Sequence, residues 1–214
     1  AYEAGLVWMH YDPEMRKTYG YVPYAFTLGL GYLFAQAESG LFCPVCMTDG
    51  VARVLEKFAD ERLKQVFLPK VISRRFPDLY QGAMFLTEKQ GGSDVGANTC
   101  KAVRTDLGWK LYGDKWFCSN AGAEAILVLA RPEGAAAGTR GLGLFLMPKH
   151  LEDGSRNSYR IHRLKDKLGV RSMPTGEITL EGALAYPVGR LDRGFVQMAE
   201  MINLSRLYNS VASI

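Results

Sequence analysis

Residues 84–95 read MFLTEKQGGSDV, and this stretch decides how the chain is understood. An apolar run stops at Thr87-Glu88, a Lys-Gln step follows, and Gly91-Gly92-Ser93-Asp94 makes a bend of bare backbone and one hydroxyl. Nothing in that bend packs a core, and exposed amides beside the Ser93 hydroxyl are groups that can contact a phosphate. Two nucleotide motifs are excluded. No Lys-Ser or Lys-Thr follows Gly91-Gly92-Ser93, so it is no P-loop, and Gly29-Leu30-Gly31 lacks the third glycine of a dinucleotide fingerprint. Taken as a tripeptide, Gly91-Gly92-Ser93 fits a plain turn equally well.

A second segment resembles the first in kind. Residues 115–120, KWFCSN, end an apolar run with two aromatics, a hydroxyl and an amide. A flat heteroaromatic ligand needs this combination: a ring to stack on and a hydrogen bond at its edge. Alone, it also fits a core tryptophan and a turn serine.

Around these segments the periodicity changes twice. Residues 20–40 are densely apolar and are expected to form a helix ending at Glu38-Ser39-Gly40, where glycine suits a helix C-terminus. Val51, Val54, Leu55 and Phe58 share one helical face, and Asp60 caps a further stretch with Leu63, Val66 and Phe67 that closes near Pro69. From about Gln81 the pattern is short runs (84–86, 101–104, 109–118, 125–130, 142–147 and 177–180) separated by turn chemistry. With no helices between them, they point to an antiparallel sandwich or barrel rather than a parallel sheet. After Pro187 the helical period returns: Phe195, Met198, Ala199 and Ile202 share a face, and Gln197, Glu200 and Asn203 turn away. The expected fold is α+β and multi-domain. It comprises part of a helical N-terminal domain (1–80), a middle antiparallel β-barrel or sandwich domain (81–190), and the first helix of a C-terminal helical domain (191–214).

Composition narrows the function. With 214 residues, 48% of them hydrophobic and 22% charged, the chain can bury a substantial core. A net charge of +4 comes from scattered lysines and arginines, which suits a solvated surface better than a nucleic-acid stripe. Four cysteines are too few for a disulfide scaffold. Cys43-Pro44-Val45-Cys46 has half the spacing of a zinc site, but neither a second pair nor paired histidines accompany it, so no metal is expected. Two buried thiols at a helix start, with Pro44 in the first turn, account for it better. No run has the length of a membrane span and no signal peptide opens the chain, so a cytoplasmic setting is expected. The chain starts at Ala1 and breaks off at Ile214 inside an apolar periodic stretch, which predicts a piece of a longer protein.

Three ordered motifs resemble the acyl-CoA dehydrogenase family. MFLTEKQGGSDV is similar to its Thr-Glu, glycine bend, Ser-Asp-Val signature; GDKWFCSNAG to its aromatic-then-hydroxyl element; and KDKLGVRSMPTGEITLEGA to its Lys-hydrophobic-Gly-x-Arg segment before a strand. Lys89-Gln90, where many members carry Pro-Gly, and the run RLKDKLG at 163–169 are nearest the AidB branch of alkylation-response flavoproteins. The resemblance implies FAD bound mainly by the β-domain. Met84, Leu86 and Thr87 would lie against the ring, Gly92 and Ser93 on the pyrophosphate side, Phe117 (rather than Trp116) stacked, and Ser119 at the N5/O4 edge, with Cys118 also among the cofactor-binding residues. It implies an acyl-CoA substrate, α,β-dehydrogenation with hydride transfer to flavin N5, an electron-transfer flavoprotein or similar acceptor, and a homo-oligomer, a tetramer by resemblance. The alternatives are an AidB-type flavoprotein with a DNA-associated protective role, its nucleic-acid contacts lying outside these residues, and a flavin oxidase or monooxygenase on the same scaffold.

The catalytic carboxylate is where the chain departs from the pattern. Some members carry it in a Leu-Glu-Arg sequence, and here that position reads Leu204-Ser205-Arg206. The base is therefore expected outside these residues, and the 214-residue chain alone is expected to be inactive. Glu88 follows Thr87 and is expected to face the other way. Arg206 is expected to face the flavin–substrate region, although snorkelling or a helical ion pair would also satisfy it.

Overall fold

The computed structural model describes residues 1–214. Five helices and seven strands follow one another in two blocks and a closing helix. α1 (Pro13–Tyr19), α2 (Tyr24–Ala37), α3 (Ser39–Phe58) and α4 (Glu61–Val71) come first. β1 (Gly82–Phe85), β2 (Lys101–Thr105), β3 (Gly108–Ser119), β4 (Ala125–Pro132), β5 (Gly143–Pro148), β6 (Tyr159–Leu164) and β7 (Thr175–Pro187) form the middle. α5 (Gly194–Ala212) ends the chain.

The strands close on themselves. β4 pairs with β2, β2 with β3, β3 with β7, β7 with β5, and β5 returns to β4, while β1 flanks β4 and β6 flanks β7. The expected antiparallel barrel is found, with five of the seven pairings antiparallel, and the detail not foreseen is that β1 and β2 run parallel to β4. Parallel pairing requires a long crossover, and the segment between β1 and β2, which carries the glycine bend, together with β3 supplies it.

Two hydrophobic cores lie on opposite faces of this ring. Alternation along β4 sends Ala125, Leu127 and Leu129 toward the helices and Ile126, Val128 and Ala130 into the barrel; β5 divides Leu144 and Leu146 from Phe145 and Met147 in the same way. That is why both strands read as unbroken apolar runs.

Several local expectations are revised. Gly40 lies in the first turn of α3 rather than at a helix C-terminus. A Cβ there would stand 2.1 Å from Ser172 Oγ, so a side chain at this position would turn the Ser172 hydroxyl away. Pro44 sits beyond the first turn of α3, Cys46 is buried, and Cys43 is only partly so. No cluster of His, Cys, Asp or Glu is placed to hold a metal ion, and no helix is long and apolar enough to cross a membrane. Asp60 does cap α4, accepting from Leu63 N at 2.8 Å. α1, capped by Asp12 through Met15 N at 2.9 Å, and β6, whose Arg160 and His162 alternate with Tyr159 and Ile161, were not anticipated. In α5, Gln197 is buried rather than solvent-facing. Its amide bonds Val188 O (3.0 Å) and Arg190 O (3.1 Å) and accepts from Arg190 N (2.7 Å).

Two features stand apart from ordinary packing. β3 slips register against β7 between Lys115 and Cys118, and within that bulge Phe117 has φ 53° while its ring is 58% exposed. A left-handed conformation costs a non-glycine residue about 1–2 kcal/mol. In the helical core, the fully buried Asp49 carboxylate accepts from Tyr11 Oη and Tyr208 Oη, each at 2.7 Å, joining the N-terminal segment, α3 and α5.

Two outcomes follow from these features. Phe117→Gly relieves strain and removes little packing, so urea denaturation should place it within about 1 kcal/mol of the parent or above it. Phe145→Ala, in the barrel core, should lose about 3–5 kcal/mol. Burial pushes the Asp49 carboxyl up to about 7 even though the two tyrosine hydroxyls pull it down. Its folded pKa is therefore above the unfolded one, so its contribution is fully present below the unfolded pKa, near about pH 4, and is lost as pH rises through 7. Asp49→Asn removes this dependence: measured across that range, the stability difference should shift toward the variant as pH rises, and a pH-independent difference would refute the assignment.

Candidate functional site

The ends of β1 and β3 meet at the mouth of a cleft of about 740 Å³, whose opposite wall is α5. They are tied directly, Trp116 N donating to Thr87 O at 2.8 Å. Asn98 Nδ2 holds Leu86 O at 2.7 Å, and the turn after β3 is pinned by Asn120 Nδ2 to Gly82 O at 3.0 Å. The cleft therefore sits on strand ends whose backbone is fixed from behind.

The structure brings together Met84, Leu86, Thr87, Gly92, Ser93, Phe117 and Ser119, all of which line this cleft, with Arg206 on the facing helix. Cys118 does not join them. It is fully buried in the barrel core, because the β3 bulge turns Phe117 outward and sends the next side chain in. Gly92 has a steric reason to be glycine: a Cβ would lie 2.9 Å from Thr87 Oγ1 and displace that hydroxyl. Gly91, at φ 119°, supplies the left-handed turn of the bend.

Arg206 is the one charged residue that lines the cleft. Outside the lining, Lys165 Nζ stands 4.0 Å from the Phe117 ring centroid, 4.9 Å from that of Trp116 and 3.6 Å from Glu177 Oε1. Arg206 is exposed and forms no ion pair within the chain. No Asp or Glu lines the cleft. Glu88 points away from it into a buried pair with Lys115 at 2.8 Å; the expected direction holds, but not through alternation, because β1 ends at Phe85 and Leu86 and Thr87 both line the cleft. Position 205, where a carboxylate would be sought, presents the Ser205 hydroxyl.

Sequence reasoning missed the α3 contribution. Cys43 and Met47, one helical turn apart, close the inner end of the cleft, and burial pushes the Cys43 thiol up despite the Lys167 charge. Their i, i+4 spacing was a usable signal. Asn203, expected to face away, also lines the cleft beside Ala199 and Ile202.

The arrangement combines an aromatic face, four hydroxyls (Thr87, Ser93, Ser119 and Ser205), a bare glycine bend and a cation around an apolar floor. This is the donor set for a flat heteroaromatic group carrying an anionic tail.

Comparison with known proteins bears on the family. Residues 83–183 match the family profile "Acyl-CoA dehydrogenase, middle domain", and residues 6–78 match "Adaptive response protein AidB N-terminal domain". Acyl-CoA dehydrogenase family member 11 of Caenorhabditis elegans is 36% identical over 192 residues, covering 86% of this chain and 31% of the relative. The putative acyl-CoA dehydrogenase AidB of Escherichia coli K12 is 36% identical over 183 residues, covering 81% of this chain and 33% of the relative. The crystal structure of Caenorhabditis elegans ACDH-11 in complex with C11-CoA superposes with a TM-score of 0.89 at 32% identity, covering 99% of this chain and 37% of that one. The chain thus spans about a third of the length of these curated relatives. The two profiles together account for most of the residues, and the chain belongs to the acyl-CoA dehydrogenase family.

Proposed function

We propose that the whole protein is an FAD-dependent acyl-CoA dehydrogenase and that these residues form its flavin-binding part. The observation that carries the reading is the convergence of Thr87, Ser93, Phe117 and Ser119 on one cleft facing Arg206. When bound, FAD would supply the acceptor for a hydride from the β-carbon of an acyl thioester.

The chain's own residues have separable tasks in this reading. Thr87 and Ser119 offer hydroxyls to the polar edge of the ring, and Phe117 offers a stacking face. Ser93 and the Gly92 amide suit the pyrophosphate. Met84, Leu86, Phe195 and Ile202 exclude water, which strengthens every polar contact in the cleft. Arg206 sets positive charge opposite the hydroxyls, where it can stabilise charge that develops on the substrate.

Removing an α-proton requires a carboxylate beside the α-carbon. The Ser205 hydroxyl is far too weak a base, and Glu88 is committed elsewhere, so the base is assigned to the remainder of the longer protein.

Anaerobic stopped-flow of the full-length protein should show acyl-CoA bleaching the flavin absorbance, with slow reoxidation by oxygen and fast reoxidation by an electron-transfer flavoprotein. Fast reoxidation by oxygen would indicate an oxidase. Absence of bleaching with every acyl-CoA would replace the dehydrogenase reading with an AidB-type protective role. Arg206→Ala should lower kcat/KM by roughly 10- to 100-fold while moving the thermal midpoint by no more than about 2 °C. The 214-residue chain supplied with FAD should show no bleaching at all.

A further inference from the structure

Behind the cleft, on the side away from its lining, Lys115 and Glu88 form an ion pair of 2.8 Å with side chains 0% and 3% exposed. Both partners have further bonds. Lys115 Nζ also donates to Leu86 O at 3.3 Å. Glu88 accepts from Thr99 N (2.6 Å), Thr99 Oγ1 (2.9 Å) and Cys100 N (3.1 Å). The pair therefore ties the loop after β1, the start of β2 and the end of β3 at one point.

A buried ion pair is a poor source of stability, because desolvation offsets its attraction and apolar residues of similar volume usually serve as well. What it supplies is direction, since charge-assisted bonds fix geometry more narrowly than apolar contact. Burial alone would push the Glu88 carboxyl up, but the Lys115 ammonium and the Thr99 and Cys100 amides outweigh it and hold it at about 2. The Glu88 carboxylate is thus ionised throughout the neutral range.

Its position relative to the cleft is specific. Residues 86, 87 and 88 are bonded in succession to 115 and 116, through Leu86 O, Thr87 O and the Glu88 carboxylate. With the backbone held on both sides, the Thr87 side chain is turned into the cleft. One residue beyond Trp116 the chain enters the strained conformation at Phe117, φ 53°.

Resting on the flavin reading above, we infer that the Lys115–Glu88 pair is a positioning device that pre-organises Thr87 and Phe117 for the flavin ring. Neither residue touches the ligand; both act through their neighbours.

The test uses the full-length protein with the apolar replacement Glu88→Leu/Lys115→Met, compared with Leu63→Ala, a core truncation in α4 remote from the cleft. FAD affinity is read by fluorescence titration, stability by thermal midpoint, and the Phe117 backbone by a crystal structure of the double variant without flavin. The expected result is FAD affinity at least tenfold weaker in the double variant, at a thermal midpoint no lower than that of Leu63→Ala, which keeps parental affinity. Phe117 should leave the left-handed region. Equal loss of affinity in Leu63→Ala would show that stability alone matters and would overturn the inference, as would parental affinity in the double variant. If the parent itself fails to bind FAD, the flavin reading fails. The positioning inference is then decided by the Phe117 backbone, an unchanged φ with Thr87 unmoved overturning it.

Discussion

The ladder between β4 and β5 is buried on both faces, and the placement of everything around the cleft follows from its register. Because side chains alternate with a period of two, a one-residue slip would exchange the helix-facing set Ala125, Leu127 and Leu129 for the barrel-facing set Ile126, Val128 and Ala130. Each set fits a different core, so the slip is penalised twice. β4 also pairs with β1 and β2, and its register therefore fixes where β1 ends and where the loop bearing Thr87 begins. α3 is seated on β1 through Gly82, where a Cβ would lie 2.7 Å from Val51 Cγ2 and 2.8 Å from Met47 O. Gly82 N donates to Thr48 Oγ1 at 3.0 Å, which aligns the helix along the strand and brings Cys43 and Met47 to the cleft.

Two buried carboxylates show how local surroundings divide identical chemistry. Asp49 receives two phenolic hydroxyls, and burial wins, so its carboxyl is held up to about 7. Glu88 receives an ammonium, two backbone amides and a hydroxyl, and these win, holding it at about 2. The first joins the N-terminal segment to two helices, α3 and α5, in a proton-sensitive contact. The second joins three segments beneath the cleft in a contact that stays ionised. Neither is available as a base in the cleft, because each has its oxygens engaged in the interior.

The parts of this architecture that were legible in the sequence are those encoded over a few residues. The glycine bend, the aromatic–hydroxyl strand end and the Asp60 cap each carry their own signal, and the two strand-end clusters do meet. Partner choice was not legible, because a period of two says which face is buried but not which strand lies beside it, and so the parallel pairings with β4 went unseen. β6 was hidden by its charged outer residues Arg160, His162 and Arg163. Cys118 was misplaced because a bulge breaks the alternation from which its direction would be read. Gly40 was read as a cap, whereas its close neighbour is the Ser172 hydroxyl, 132 positions away in sequence and invisible to any local rule.

α5 carries the last constraint, and it explains why a single apolar face was the wrong description of that helix. Gln197, Met201, Leu204 and Tyr208 form one buried stripe, while Phe195, Ala199, Ile202 and Arg206 form a second with the same spacing, two residues earlier, along the cleft. The first stripe is fixed by packing and by directional bonds, with Gln197 holding the chain at Val188 and Arg190 and Tyr208 holding Asp49. Rotating the helix to hide Ile202 would break both. The core stripe therefore dictates the exposure of the cleft stripe, and the chain keeps an apolar wall ending in Arg206 along the cleft that Thr87 and Ser119 also line. A helix optimised only for its own burial would not be built this way, and the cost of leaving that wall open is offset by the packing on its other side.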